Sequence, residues 1–277
     1  MIRECFVPRP GRVFIQGDFP SLELFCLSQV CYSWFGHSAL GEMLKAGTDP
    51  HTAFASKLAR CTYDQGLVLA KSKDPKFYKY RQISKCFNFG KPGGLGHRKL
   101  CDLAATPAYG RVIITETESK GYGKEWLETF PEMQEYFAKI NATLAGNETG
   151  TTKIPLTGFV RGGAKYCALA NTPFQHLGAA CAKNAMWLVA KAMYTEPESP
   201  LWGARTVAMV HDELIGEAEE ATCHESAHEL VRLMVVGANK FLPDCPIALS
   251  RMEPTIFRKW SKNASQKWEN GRLVSWD

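Results

Sequence analysis

Two apolar segments that each lead into an aspartate constrain this chain more than any other feature of its sequence. Residues 206–210 and 214–215 are apolar, and the polar triplet His211-Asp212-Glu213 separates them. This pattern predicts two short strands joined by a tight turn. Far upstream, the apolar residues 13–15 are followed closely by Asp18. Each segment alone is typical of a solvated turn, but aspartates at the ends of two strands can share a pair of cations.

Length and composition limit the fold class and the compartment. The chain has 277 residues, of which 45% are hydrophobic, and this is enough for one large domain or two small ones. The predicted strands are few and are separated by helical patterns, so we expect an α+β fold rather than a doubly wound parallel sheet. Ten cysteines without a C-x-x-C pair indicate reduced thiols, and we expect a cytoplasmic protein.

The charge and the hydropathy pattern exclude one class of partner and leave another open. A net charge of +5 permits a polyanionic partner, but it does not by itself indicate one. No segment approaches the roughly 20 consecutive apolar residues that a membrane helix needs, so we expect no membrane contact.

Proline, glycine and capping residues predict where the main elements begin and end. We expect Ser21 to cap a helix, and a second helix to run from Asp74-Pro75 to Gly90. Thr172-Pro173 is expected to begin a third, long helix. A short strand is expected near residues 247–250. The polar tail from residue 259 onward is expected to be a loosely packed surface arm.

The helix that follows Asp74 carries a possible binding face. Arg81, Lys85 and Phe89 are spaced by four residues, so they lie on one face of that helix. Two cations suit a triphosphate, and an aromatic ring suits a base and a sugar. Without further motifs, the same spacing is more typical of a basic, solvated helix surface.

A competing motif lies further along the chain. Residues 224–228 read His-Glu-Ser-Ala-His, which fits the H-E-x-x-H signature of zinc hydrolases. On a helix the two histidines would share a face, and the glutamate could activate a water molecule. The flanking residues are polar and a metzincin-type third ligand is absent, so we keep a zinc hydrolase as the less favoured alternative.

Four motifs together resemble those of family A DNA polymerases, the group of bacterial DNA polymerase I and many phage replicases. They occur in the order of the family and cover almost the whole chain. Residues 17–24 resemble the first catalytic motif of the family, and residues 81–90 resemble its fingers helix. Residues 171–175 resemble the Asn-x-Pro-x-Gln helix start, and residues 209–213 resemble the third catalytic motif. The chain is most similar to phage-type members, in which Pro-Gly-Gly follows the Phe-Gly of the fingers helix. Gly93 therefore stands where other members have a tyrosine.

The resemblance implies a polymerase palm, in which a small antiparallel sheet packs on helices, with an inserted and mainly helical fingers subdomain. On this interpretation residues 1–35 and 166–277 form the palm and residues 36–165 form the fingers. A thumb and an exonuclease domain are expected to be absent from the chain.

The resemblance also implies a set of site residues. Asp18, Asp212 and Glu213 would be catalytic, and Asp18, Asp212 and Phe19 would hold two Mg²⁺ ions, for which Mn²⁺ can substitute. In the family the glutamate lies near the metals without necessarily binding them. The nucleotide would contact Glu23, His51, Arg81, Lys85 and Phe89, with Glu23 crowding the sugar 2′ position and His51 facing the phosphates. The DNA would contact Asn171, Gln175 and His211.

This resemblance predicts a template-directed DNA polymerase that adds dNTPs to the 3′-hydroxyl of a primer. Such chemistry needs two divalent ions, and hard ions of this kind take oxygen ligands. The expected partners are primer-template DNA, dNTPs and a second polypeptide that supplies thumb and upstream palm elements. The expected location is the cytoplasm, or the host cytoplasm if a phage encodes the chain. A further alternative is a non-catalytic nucleic-acid-binding subunit of a split polymerase.

Overall fold

A computed structural model describes residues 2–276 and divides the chain into two compact units. One unit consists of the residues up to Leu22 together with those from Gly178 onward, and the other is Glu23–Leu177. The predicted palm and fingers have boundaries close to these, but their assignment remains a proposal. None of the helices in residues 2–276 is long and apolar enough to cross a membrane.

The elements of both units alternate between helices and short strands. The α-helices are α1 (Leu22–Phe35), α2 (Ala39–Lys45), α3 (Pro50–Ala59), α4 (Tyr63–Lys71), α5 (Pro75–Gly90), α6 (His97–Ala104), α7 (Glu116–Thr129), α8 (Glu132–Leu144), α9 (Tyr166–Thr195) and α10 (Cys223–Asn239). The strands are β1 (Arg12–Asp18), β2 (Gly150–Lys153), β3 (Val160–Ala164), β4 (Arg205–Val210), β5 (Glu213–Glu219), β6 (Thr255–Phe257), β7 (Lys267–Glu269) and β8 (Arg272–Val274). This content confirms the predicted α+β class.

An antiparallel sheet with the strand order β4-β5-β1-β6 organises the first unit. The predicted hairpin is present as β4 and β5, and β5 pairs with β1 from Arg12 opposite Glu219 to Asp18 opposite Glu213. Helix α10 packs against β1. A Cβ at Gly17 would lie only 2.6 Å from the Sδ of Met234, so the glycine lets the side chains of α10 approach β1 closely. The packing holds the end of β1 in place.

Helices α2 to α8 and the hairpin of β2 and β3 form most of the second unit. Helices α3 and α5 begin alike, because an aspartate caps each helix and a proline occupies its first turn. The start of α5 is the one predicted at Asp74-Pro75, and α5 ends at Gly90 as predicted. Large side chains from α3, α5, α7 and α8 are fully buried in this unit: Phe54, Phe87, Trp126 and Tyr136.

One predicted helix start is wrong, and a second lies at the predicted place without the predicted cap. Helix α9 begins at Tyr166, so Pro173 lies inside it rather than at its first turn. Leu169 is fully buried and the hydroxyl of Thr172 donates to the carbonyl of Ala168, and both interactions stabilise the turn before the proline. Ser21 adopts a φ of +54°, whereas a capping residue is normally extended, and α1 begins directly after it.

The predicted strand near residues 247–250 is absent, because residues 249–251 form a 3₁₀ turn and the strand is β6. The side chain of Asn239 explains this difference. Its amide donates to the carbonyl of Ile247 at 2.9 Å, and its oxygen accepts from the N–H of the same residue at 2.8 Å. Both backbone groups that a strand ladder would use are therefore occupied.

The C-terminal tail is more ordered than predicted. Strands β7 and β8 pair as a hairpin, and Leu273 of β8 is buried. The backbone of Trp276 donates to Ile256 and accepts from Arg258, which attaches the tail to β6. The tail is therefore part of the first unit and not a loose arm.

Because α9 and α10 are in close contact, we expect a methyl group added at Gly237 to lower the stability of the protein. A Cβ at Gly237 would lie 2.5 Å from the Cα of Ala185, and backbone atoms cannot move aside cheaply. We expect Gly237→Ala to lower the free energy of unfolding by about 1–3 kcal/mol, measured by urea denaturation. Gly121→Ala is the control, because α7 offers open space there, and it should stabilise by up to about 1 kcal/mol. Equal stability of Gly237→Ala and the wild type would contradict the packing.

Candidate active site

Strand pairing in the first unit brings the predicted catalytic carboxylates together. Asp18, the last residue of β1, lies opposite Glu213, the first residue of β5. Asp212 precedes Glu213 in the turn between β4 and β5, and its carbonyl accepts from the N–H of Phe19 at 3.3 Å. His211 makes this turn possible by adopting a φ of +60°, which is uncommon outside glycine.

Partial burial, and then the charges of its neighbours, raise the pKa of one carboxylate of this cluster. The surrounding protein partly removes Asp18 from water, and the negative charges of Asp212 and Glu213 add to this effect. Together they raise the pKa of Asp18 to about 6, although its side chain remains exposed to solvent. A divalent cation at this position would offset the repulsion, and carboxylate oxygens are ligands that Mg²⁺ prefers. The donor set of Asp18 and Asp212 therefore fits the predicted ions.

The two aspartates do not form a complete metal cage. Within residues 2–276, no group of three or more His, Cys, Asp or Glu side chains is placed to hold a metal. Mg²⁺ usually binds through one or two carboxylates and takes its other ligands from phosphates and water.

Glu213 is fixed by two residues that the sequence did not single out. Its Oε1 accepts from the indole of Trp260 at 3.0 Å, and its Oε2 pairs with Arg3 at 3.4 Å. The guanidinium of Arg3 also lies over the ring of Trp260, 4.4 Å from its centroid. Both oxygens of Glu213 are therefore engaged in the protein. No sequence motif indicates this clamp of Arg3 and Trp260 on Glu213, because it joins the first residues, the turn and the tail.

The predicted basic face is present on α5 in the second unit. Arg81 donates to Asp49, the capping residue of α3, at 3.1 Å, and this ion pair fixes its guanidinium. Partial burial and then the positive charge of Arg81 lower the pKa of Lys85. The ring of Phe89 lies 5.1 Å from that of His51. The spacing places Arg81, Lys85 and Phe89 on one face of α5, and the structure adds His51 beside Phe89.

The remaining predicted contacts occupy two other places in the second unit. Glu23 lies in the first turn of α1. Asn171 and Gln175, one turn apart on α9, line a cavity of about 400 Å³. Phe159 and Arg161 of the β2–β3 hairpin line the same cavity, and the sequence did not indicate either of them. A stacking ring, a cation and two amides are groups that contact nucleic acid in other proteins.

The H-E-x-x-H residues are engaged in ways that oppose a zinc site. The Nδ1 of His224 accepts from the N–H of Leu273 at 2.8 Å, and Glu225 pairs with Arg272 at 2.7 Å. The Nδ1 of His228 contacts the carbonyl of His224 at 2.8 Å. These residues attach the tail to α10, so the geometry does not favour the zinc hydrolase.

Comparison with known proteins identifies the family. The sequence model of DNA polymerase family A matches residues 1–252, and the chain belongs to this family. It is 24% identical over 267 residues to DNA polymerase I of Aquifex aeolicus, a match that covers 95% of this chain and 42% of that protein. It is 26% identical over 272 residues to the thermostable DNA polymerase I of Thermus filiformis, covering 94% of this chain and 28% of that protein. The chain thus spans less than half the length of these relatives.

A solved structure supports the fold. The polymerase domain of Pol1 from M. smegmatis, in complex with DNA primer-template and dNTP, aligns with a TM-score of 0.68 at 20% identity. The alignment covers 94% of this chain and 42% of that one. It confirms the predicted fold class. The family match ends at residue 252, so β6 and Trp260 lie beyond it.

The clamp on Glu213 yields a test of stability. Trp260→Phe removes the indole N–H but keeps the ring, which leaves a nearly buried carboxylate oxygen without that donor. We expect a loss of about 1–2 kcal/mol in the free energy of unfolding, measured by chemical denaturation. Trp268→Phe is the control, because its indole makes only an exposed 3.4 Å contact with Gln266. Equal losses in the two variants would contradict the role of Trp260.

Proposed function

We propose that this chain is the catalytic portion of a DNA-directed DNA polymerase, which joins a dNTP to the 3′-hydroxyl of a primer on a template. The observation that carries the proposal is the pair Asp18 and Asp212, which strand pairing places together and whose repulsion contributes to the raised pKa of Asp18. Family membership over residues 1–252 supports the same reaction.

The metal site of this proposal uses the first unit. The carboxylates of Asp18 and Asp212 and the backbone carbonyl of Phe19 would hold two Mg²⁺ ions, or Mn²⁺ in their place. When bound, such ions stabilise the negative charge that develops during phosphoryl transfer. The role of the chain is to keep the two carboxylates side by side. Glu213, held by its clamp, would keep the turn in position for them.

The residues proposed to contact the substrates lie in the second unit and in the turn between β4 and β5 of the first unit. Arg81 and Lys85 would bind the triphosphate, as their spacing and charge suit. Phe89 and Glu23 would contact the sugar. The DNA would contact Asn171 and Gln175 at their cavity and His211 at the turn: these three are the polar contacts that the family resemblance implies.

The two aspartates are tested by removing their charges one at a time. Asp18→Asn or Asp212→Asn should lower primer extension by at least about a hundredfold, because the amide is a neutral and weaker ligand for Mg²⁺. Binding of primer-template should stay within about threefold, since phosphate contacts dominate it. Extension by the wild type should require Mg²⁺ or Mn²⁺ and should not respond to a zinc-selective chelator.

Glu219→Gln is the matched control, because Glu219 lies at the far end of the same strand pair. It should leave extension unchanged. Full extension by either aspartate variant would refute the catalytic assignment. A wild type that binds DNA but never extends a primer would favour the non-catalytic subunit instead.

Sugar selection is tested at Phe89 and Glu23. Phe89 offers no polar group to the sugar, so Phe89→Tyr should raise the use of dideoxynucleotides relative to dNTPs by about tenfold or more, since its phenol can supply a hydrogen bond. Glu23→Ala should raise the incorporation of ribonucleotides by relieving crowding at the 2′ position. Both are measured as ratios of kcat/KM. Unchanged ratios in both variants would show that these residues do not contact the sugar.

We also propose that the chain works with thumb-like and upstream palm elements from a second polypeptide. Two exposed apolar side chains support this, since Val207 lies on β4, the outermost strand of the described sheet, and Trp202 shortly precedes it. Primer extension with and without a candidate partner chain tests the idea. The chain alone should extend distributively and lose activity steeply with salt. Processive extension by a monomer at physiological salt would contradict it.

A further inference from the structure

A chain of buried hydrogen bonds in the second unit links α7, α5 and α3. The indole Nε1 of Trp126 lies 2.9 Å from the Oδ1 of Asn88, and the Nδ2 of Asn88 lies 3.0 Å from the Nδ1 of His51. The three residues are 1%, 2% and 6% exposed, in that order. None of these three side chains caps a helix. The protein has therefore placed a polar network where apolar packing would have sufficed.

This network determines how the proton on His51 is placed. An indole N–H can only donate, so it fixes the carbonyl of Asn88 towards Trp126 and leaves the amide NH₂ of Asn88 to face His51. An amide NH₂ can only donate as well. The Nδ1 of His51 must therefore accept, and the ring proton lies on Nε2.

The Nε2 of His51 is the open end of the network. Every hydrogen bond of His51 to the described residues through its ring uses Nδ1. Some side-chain atoms of the described residues are fully buried without a partner, but Nε2 of His51 is not one of them. It is thus a donor that solvent or a ligand can reach.

The charged groups around His51 come from the start of its own helix, α3, and from the neighbouring helix α5. Asp49, at the start of α3, favours the charged imidazolium, whereas Lys85 and Arg81, on α5, oppose it. Burial is the largest effect, and it lowers the pKa of His51 to about 4. At neutral pH the ring is therefore an uncharged donor beside two cations.

We propose that Asn88 and Trp126 are positioning residues for the nucleotide, which hold His51 as a neutral Nε2–H donor towards the triphosphate that Arg81 and Lys85 bind. The inference rests on the proposed function for the identity of the ligand, but the tautomer of His51 does not depend on it. A neutral donor adds a hydrogen bond to a phosphate oxygen without placing a third positive charge beside Arg81 and Lys85.

The tautomer is tested by ¹⁵N NMR of the histidine rings in the full chain. In the wild type at pH 7, we expect His51 to be protonated on Nε2 and not on Nδ1. Asn88→Asp keeps the shape of the side chain, and one carboxylate oxygen can still accept from Trp126. The other oxygen now needs a proton from Nδ1, so the pKa of His51 should rise well above that of the wild type.

Ligand binding is tested by the Kd of dATP with Mg²⁺ as a function of pH, measured by titration calorimetry. In Asn88→Asp, raising the pH through the new pKa of His51 leaves the remaining proton on Nδ1, so that Nε2 becomes an acceptor facing the phosphates. We expect the Kd to rise about tenfold across that range, the effect of replacing one donor by an acceptor at a charged oxygen. The wild type should lack this rise.

The double variant Asn88→Asp/His51→Gln is the control that separates positioning from simple loss of packing. It should lack the pH-dependent rise, because the group that titrates has been removed. Thermal unfolding of each variant monitors stability independently. Protonation of Nδ1 in the wild type, a pH-dependent rise that persists in the double variant, or failure of the wild type to bind dATP would each overturn the proposal. If the tautomer and the Kd behave as expected but no primer is extended, only the proposed polymerase activity fails.

Discussion

The pairing of β1 with β5 is the constraint on which the candidate site depends. These strands are far apart in sequence, and their antiparallel register places Asp18 opposite Glu213 and close to Asp212. A slip of one residue would turn the side chain of Asp18 to the other face of the sheet. Val13, Phe14 and Ile15 are all buried, so the packing on both faces of β1 opposes such a slip. The hydrophobic pattern therefore sets the position of the charges.

Several elements of the first unit hold this register. Helix α10 packs on β1 through the close approach at Gly17, and β6 pairs with the other edge of β1. Trp260 and Arg3 fix Glu213 at the start of β5. Much of this support comes from residues beyond the family match, which ends at residue 252. The tail, which the sequence suggests is a loose arm, is thus part of the framework around the carboxylates.

The sequence predicts an element correctly where a local rule and the tertiary packing agree. The hairpin around Asp212, the caps Asp49 and Asp74 and the face of α5 follow from short-range patterns, and all are present. The predictions from sequence are wrong where long-range contacts determine the local structure. Burial of Leu169 extends α9 past Pro173, and the side chain of Asn239 prevents a strand at Ile247. The clamp on Glu213 and the Trp126–Asn88–His51 network join distant segments, so no local spacing could indicate them.

Strand pairing places the carboxylates of Asp18, Asp212 and Glu213 close enough for their negative charges to repel one another. The most direct measurement is the pKa of Asp18, obtained by ¹³C NMR of its carboxyl group in the metal-free chain. We expect a pKa of about 6, and a lower pKa in Asp212→Asn because one repelling charge has been removed. A value near the ordinary 3.8 that does not change in Asp212→Asn would contradict it.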